Sequence, residues 1–390
     1  MSDVGAFDLS TAQRVLLDSA RRGASERFRA LAAAGEDGRV NRALVRALGD
    51  EGFLSRVFPG DGEGSVSAMD LCLMREGLAQ ECTEAETALA LQGLGAHPIF
   101  TSATDELRRR WIPDVARGKA VAAFALSEPE SGSDPAALSL RATRDGDGWR
   151  LCGTKTWISN APEADVYSLF ARTSDDGARG VTAFVVPGDA SGLSGEAIAM
   201  LAPHAVGRLT LDDVRVGADH VLGEVGQGFK VAMKTLDLFR PSVGAFAVGM
   251  AQSALEASVA HSATRVQGGA LLKDHQAIAH QLADMATEIE AARLLVYRAA
   301  SNHDALASAS MSGGGAAAGA ARNTKLAAMA KLFATEVAQR AVDRAIQIHG
   351  ASGLVRGHLL EHLYREVRAP RIYEGTSEIQ RSIIARELHR

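Results

Sequence analysis

Apolar residues recur at helical spacing through the first third of the chain. Val15, Leu16 and Phe28 stand among charged residues between Thr11 and Leu31, and Leu44, Val45 and Leu48 line one face of a segment from Asn41 to Leu54. Met69–Gln80, Glu84–Leu94 and Asp105–Ala116 read as further helices, with turns expected where Gly and Pro cluster, at Pro59–Gly64 and Gly93–Pro98. The period shortens after Lys119. Short runs rich in β-branched and aromatic residues follow, at Val121–Leu126, Trp149–Ile158, Val166–Ala171, Val181–Val186 and Leu209–Val216; the Gly, Asp and Pro turns between them predict strands in hairpin-like succession. From Gly228 the helical period returns, over Leu255–Ala263, Ile278–Ala300, Ala321–His349 and Ile379–Leu388, with Met329, Leu332, Phe333 and Val337 as one apolar stripe. Between Ser301 and Ala320 an Ala/Ser/Gly segment containing Gly313-Gly314-Gly315 reads as a mobile loop. Helices, then strands, then helices fit segregated α+β layers better than alternating βαβ units, so a Rossmann sheet is disfavoured.

Composition narrows the class without naming the chemistry. The 390 residues are 46% hydrophobic and 23% charged, enough for a large core or several packed domains. A net charge of −5 argues against a nucleic-acid protein, which carries a basic excess on some face. Cys72, Cys82 and Cys152 form no C-x-x-C pair and read as small, buried, reduced thiols. Met1–Ser10 has no basic region followed by an apolar run, so no signal peptide is expected. Nor does any stretch approach the ~20 apolar residues that span a bilayer. A cytoplasmic protein is the expectation.

Candidate chemistry concentrates in Ile372-Tyr373-Glu374-Gly375-Thr376-Ser377-Glu378-Ile379-Gln380-Arg381. Ser377 and Gln380 fit an S-x-x-Q capping box opening a helix with Ile379, Ile383, Ile384 and Leu388 on its apolar face, which leaves Glu374 in the turn ahead of it. Gly375, lacking a Cβ, admits a flat ligand close to the backbone. A carboxylate beside a dry pocket has its charged form disfavoured, which brings its pKa towards that of a useful general base. The same letters also describe an ordinary capped helix beside a solvated glutamate, and local chemistry leaves both readings open. Strand alternation puts Trp157 and Ser159 on one face and Thr156 and Ile158 on the other, so an aromatic and a hydroxyl stand side by side. His358-Leu359-Leu360-Glu361-His362 has the spacing of an inverted zinc-protease motif, a pattern with many chance matches, and no metal is expected there. The Gly-rich stretch Leu222–Lys230 lacks the flanking order of a nucleotide loop.

Tyr373–Arg381 resembles the C-terminal signature of the acyl-CoA dehydrogenase family, on its medium- and short-chain-like branch. Ala125–Asp134, Gly153–Asn160, Leu222–Lys230, Leu236–Arg240, Arg265–Gln276, Gln347–Gly353 and Glu361–Glu366 carry the resemblance in the same order. It implies an N-terminal helical domain over residues 1–120, a middle antiparallel β domain over 121–225 and a C-terminal four-helix bundle over 226–390. It also implies FAD as cofactor and α,β-dehydrogenation of an acyl-CoA thioester, as in fatty acid metabolism. Glu374 would abstract the α-proton while the β-hydride passes to flavin N5, and the Glu374 N–H would help polarise the thioester carbonyl. Leu126, Ser127, Gly132, Ser133, Trp157, Ile158, Ser159, Thr376 and Glu378 would meet the flavin. Arg265, Gln276, Gln347, Gly350 and Ala351 would reach the flavin of a neighbouring subunit, in a homo-oligomer expected to be a tetramer. Ser133, Asp237, Arg240 and Gly375 would meet the substrate, and an electron-transfer flavoprotein would take the electrons. Some relatives carry the base immediately before the matching arginine; here that position is Phe239, which cannot accept a proton. Glu130, Gly268 and Ala351 depart from the family's glycine, phenylalanine and glycine, with consequences for flavin affinity. The alternatives are a carrier-protein-linked dehydrogenase or an oxidase on the same scaffold, and a non-catalytic relative serving as a binding module.

Overall fold

A computed structural model describes residues 8–59, 65–311 and 317–389. Helix α1 (Thr11–Gly23) opens on a capping box between Ser10 and Gln13 and passes through a π turn at Ala24–Phe28 into α2 (Arg29–Ala33). Leu16 and Phe28 are buried, while Val15 faces solvent. Helix α3 (Arg42–Asp50) stops before Gly52, whose left-handed φ of 79° starts the separate α4 (Phe53–Val57). Next come α5 (Ala68–Glu81), α6 (Thr83–Ser102) and α7 (Asp105–Ala116). The turn expected at Gly93–Pro98 is absent, because α6 runs straight through it. Gly95 serves close packing instead: a Cβ there would stand 2.6 Å from the backbone of Ala122. Most of the Pro59–Gly64 turn lies outside the described residues.

The sheet comprises β1 (Ala122–Ala125), β2 (Arg141–Asp145), β3 (Gly148–Ser159), β4 (Val166–Arg172), β5 (Val181–Pro187), β6 (Leu193–Ala197), β7 (Val206–Val216) and β8 (Val221–Leu222). Its order is β6-β7-β3-β2-β4-β5-β8, with β1 on β4. Pairing is antiparallel except where β1 and β2 meet β4. Trp149, Leu151, Leu169, Phe184, Val186, Leu209 and Val214 fill its core, each contributing about 1.5–3 kcal/mol by burial if a large aliphatic or aromatic. The sequence pattern missed β2 and β6 because their residues are mostly polar and exposed.

Helix α8 (Gly228–Ser262) leads to the hairpin of β9 (Val266–Gln267) and β10 (Ala270–Leu271). Gly268 and Gly269 turn it with φ of 60° and 83°, the positive values a type I′ turn demands. That demand accounts for glycine at 268. Then follow α9 (Gln276–Met311), α10 (Ala317–His349), α11 (Leu359–Glu366) and α12 (Ser377–Leu388). Much of Ser301–Ala320 is therefore helix rather than loop, since alanine is the strongest helix former; Gly313-Gly314-Gly315 lies outside the described residues. Helix α8 is, by length and composition, apolar enough to cross a membrane, contrary to the expectation that no stretch comes near this; 67% of its most apolar window is buried within the protein.

The chain divides into two compact units, one of Met1–Arg27, Ser67–Glu86 and Asp237–Arg390, the other of Phe28–Val66 and Thr87–Leu236. In the first, Asp304 of α9 caps α5, accepting from Ser67 Oγ at 2.8 Å and from the amides of Ala68 at 2.7 Å and Met69 at 3.1 Å.

Candidate active site

Glu374 occupies a left-handed conformation, φ 52°, which costs a non-glycine residue about 1–3 kcal/mol, and Gly375 follows at φ 91°. Several side chains hold this bend. Gln380 of α12 donates through Nε2 to the carbonyls of Glu374 (3.1 Å) and Gly375 (3.0 Å), Lys331 of α10 donates to Gly375 O at 2.7 Å, and Arg240 Nε of α8 approaches Glu374 O at 3.4 Å. The cap of α12 is Thr376, whose hydroxyl accepts from the Ile379 amide at 3.3 Å, and not Ser377. Ser377 instead donates to Glu336 Oε1 at 2.7 Å, which Arg371 also reaches at 3.0 Å, so Gln380 is freed from capping to clamp the bend.

Inside this frame the Glu374 Oε2 atom is buried and has no hydrogen-bond partner among the described residues. Burial pushes the carboxyl pKa above its ordinary value, opposed by the positive charges of Arg75, Arg240 and Lys331. A buried carboxylate with an open lone pair and a raised pKa can take a proton from a ligand. The solvated-glutamate reading does not survive this geometry. Arg240 is oriented by Asp237, at 2.9 Å, whose other oxygen accepts from Thr324 at 3.0 Å. Both carboxylate oxygens of Asp237 are thus engaged within the chain. Phe239 is fully buried. Behind it, Arg75 pairs with Glu86 and donates to Ser242 Oγ at 2.7 Å, and Ser242 donates to Phe239 O at 2.6 Å.

The second unit holds the expected flavin loop. Lys155 of β3 and Glu128, 0% and 3% exposed, form an ion pair of 2.8 Å; Lys155 also donates to Leu126 O at 2.9 Å. Burial works against the Glu128 charge, but Lys155 and donors from Ser139 and Leu140 outweigh it and keep the carboxylate below its usual range. Burial pushes Lys155 down to about 8, with Glu128 resisting. The Thr156 amide donates to Ser127 O at 3.0 Å, and reciprocal backbone bonds join Glu128 and Ser131, leaving Gly132 and Ser133 exposed. Glu130 is exposed at negative φ, so replacing the family's glycine introduces no backbone strain.

Strand alternation fails locally in β3. Its register against β7 shifts between Lys155 and Ile158, and Trp157 sits in that bulge at φ 58° with 57% of its surface exposed. Thr156 and Ile158 are buried and Ser159 is half-exposed, so an aromatic face and a hydroxyl do share the open side. In this unit an exposed indole in a strained conformation and a loop with no described atom within 4 Å of a Cβ on Gly132 fit the expected flavin, and in the other unit the buried carboxylate oxygen of Glu374 fits the expected substrate.

Arg265, Gln267, Gln276, Gln347, Gly350 and Ala351 are all exposed. The last turns of α8 and α10 meet through stacked imidazoles, His261 on His349 with centroids 4.2 Å apart, which draws the Arg265 and Gln347 segments together. Ala351 does not have positive φ, so alanine fits where the family has glycine. His358 caps α11, accepting from the Leu360 amide at 3.1 Å, while His362 lies 2.7 Å from the Thr83 hydroxyl; their imidazoles serve separate local contacts. Cys72 and Cys82 are buried, but Cys152 is exposed on β3, contrary to expectation. Sequence reasoning missed Lys331, Lys155, Glu128 and the Arg75–Glu86 pair. A lysine among apolar residues was the available signal for Lys331; Lys155, between two threonines, carried none.

Residues 10–119, 123–214 and 226–389 match the N-terminal, middle and C-terminal domains of acyl-CoA dehydrogenases. The chain is 36% identical to the cyclohexane-1-carbonyl-CoA dehydrogenase of Geobacter metallireducens over 389 residues, 98% of each chain. It is 35% identical to the caffeyl-CoA reductase-Etf complex subunit CarC of Acetobacterium woodii, covering 90% of each. The structure of butyryl-CoA dehydrogenase from Megasphaera elsdenii superposes with a TM-score of 0.89 at 31% identity, over 99% of this chain and 100% of that one.

Proposed function

The chain belongs to the acyl-CoA dehydrogenase family as an FAD-dependent oxidoreductase acting on acyl-CoA, and from that premise we propose that Glu374 is the base that removes the substrate's α-proton. The observation that carries this reading is the buried, unpartnered Glu374 Oε2 on a backbone clamped in a left-handed bend. Ionised, that oxygen accepts the proton; the facing charges of Arg75, Arg240 and Lys331 offset the cost of keeping it ionised in a dry site. The Glu374 N–H polarises the thioester carbonyl and so stabilises negative charge as the proton leaves. Phe239, buried and without a proton-accepting atom, leaves Glu374 as the base and presents an apolar wall.

FAD, when bound, supplies the acceptor for the β-hydride. Leu126, Ser127, Gly132, Ser133, Trp157, Ile158, Ser159, Thr376 and Glu378 would hold it. Arg265, Gln276, Gln347, Gly350 and Ala351 would serve the cofactor of a neighbouring copy, a role their exposure supports, and the assembly proposed is a homotetramer. Ser133, Asp237, Arg240 and Gly375 would hold the acyl-CoA, with Asp237 acting by orienting Arg240. Electrons pass to an electron-transfer flavoprotein, supported by the name of the Acetobacterium relative, and the enzyme works in the cytoplasm.

Anaerobic mixing with a panel of thioesters tests the reading. The panel begins with cyclohexane-1-carbonyl-CoA, after the Geobacter relative, and adds short, branched and long acyl-CoAs and a carrier-protein thioester. Bleaching of the flavin by an acyl-CoA is expected; bleaching only by the carrier-protein thioester, or peroxide formation in air at the rate of turnover, would replace it.

A further inference from the structure

Lys331 lies mid-helix in α10 and is 0% exposed. Apolar residues flank it, Met329, Leu332 and Phe333 among them, so nothing in the helix's own pattern calls for a charge there. A buried ammonium is unfavourable unless other groups compensate it. Its acceptor is the Gly375 carbonyl at 2.7 Å, yet Gln380 already donates to that same oxygen at 3.0 Å. The carbonyl oxygen has a lone pair for each donor, but a neutral second donor would serve it at lower cost. What the ammonium adds is charge beside the base.

We propose that Lys331 is a positioning residue for the Glu374 base, fixing the Gly375 carbonyl and supplying a buried positive charge that keeps the neighbouring carboxylate ionised. The inference rests on Glu374 being the base. Three cations from three helices act on Glu374: Arg75 of α5, Arg240 of α8 and Lys331 of α10. Arg75 is committed to Glu86 and Ser242, and Arg240 to Asp237. Lys331 itself faces Glu374, with Glu336 and Glu378 as further anions and Arg240 as the opposing cation. Glu336 is taken up by Arg371 and Ser377. Burial brings Lys331 down to about 8, with Glu374 as the main influence holding its proton. Positive charge on Lys331 and negative charge on Glu374 thus support each other.

The test is the pH profile of kcat in the flavin-loaded enzyme for Lys331→Gln and Lys331→Met, with Glu374→Gln alongside. Lys331→Gln keeps a donor near Gly375 and loses the charge. It should retain flavin and thermal stability, while its acidic limb moves up by about one pH unit, the effect of losing an opposite charge near a carboxylate. Lys331→Met should show the same shift together with a lower kcat, KM changing little. An unmoved limb in Lys331→Gln overturns the proposal. So does a Lys331→Gln protein that fails to fold or sheds its flavin, since that assigns the lysine to structure alone. If Glu374→Gln still bleaches, the base itself is misassigned; if Glu374→Gln is inert and the Lys331→Gln limb is unmoved, only the role of Lys331 falls.

Discussion

Gln380 and Gly375 are fitted to each other at two points: Gln380 Nε2 donates to the Gly375 carbonyl at 3.0 Å, and a Cβ on Gly375 would stand 2.6 Å from that same nitrogen. The glycine is required both by its φ of 91° and by the side chain that clamps it. Gly375→Ala should therefore displace Gln380 and strain the bend, at a cost of about 1–3 kcal/mol. A lower Tm and a kcat reduced by roughly tenfold or more, measured on flavin-loaded protein, are the expected results.

The Glu128–Lys155 pair anchors, from inside the sheet unit, the loop proposed to meet the flavin. Removing one partner of a buried ion pair leaves an uncompensated charge and costs about 3–5 kcal/mol. Lys155→Met should destabilise by that order and reduce flavin retention. Glu128→Gln combined with Lys155→Met should recover part of the loss but not all, because Glu128 also accepts from Ser139 and Leu140. Denaturant unfolding of the single and double variants measures the coupling.

Asp304 ties α9 to the start of α5. Burial opposes its charge, but His303 and the donors of Ala68, Met69 and Ser67 win and hold its pKa below the usual value. A carboxylate depressed in the folded state stabilises above its unfolded pKa of about 3.9, and loses that contribution as pH falls through the folded value. Asp304→Asn should cost about 1–2 kcal/mol at neutral pH. Unfolding curves of variant and wild type should converge in acid below the ordinary carboxylate range.

The carboxyl of Glu374 is shifted the opposite way, yet turnover, like the Asp304 contribution, is lost as pH falls. Glu374 must be ionised to accept a proton, and burial raises its pKa. Activity should fall as pH drops through a limb lying above the usual carboxylate value of about 4.3. A kcat profile measured across the acid range places that limb.

Much of this was legible in the chain itself. Asp105–Ala116 is a helix over those same residues because Thr104 caps it and acidic residues fill its first turn. The strands with large apolar residues were equally plain, whereas β6, exposed at the sheet edge, carries no such signal. Thr376 and Ser377 are equally good caps by type; the choice is made by Glu336, 41 residues upstream, which takes the Ser377 hydroxyl. Lys331 could be seen as a lysine among apolar residues, but its acceptor lies 44 residues away and only the fold joins them. Trp157 was found, but the bulge that turns it outward depends on pairing with β7.

Glu374→Gln tests the central claim most directly. The substitution keeps the side chain's shape and removes the proton acceptor, so the variant should purify yellow with wild-type flavin content. Mixed anaerobically with an acyl-CoA that bleaches the wild type, it should bleach at least ~10⁴-fold more slowly, the upper range for loss of a general base. Bleaching at the wild-type rate would contradict Glu374 as the base.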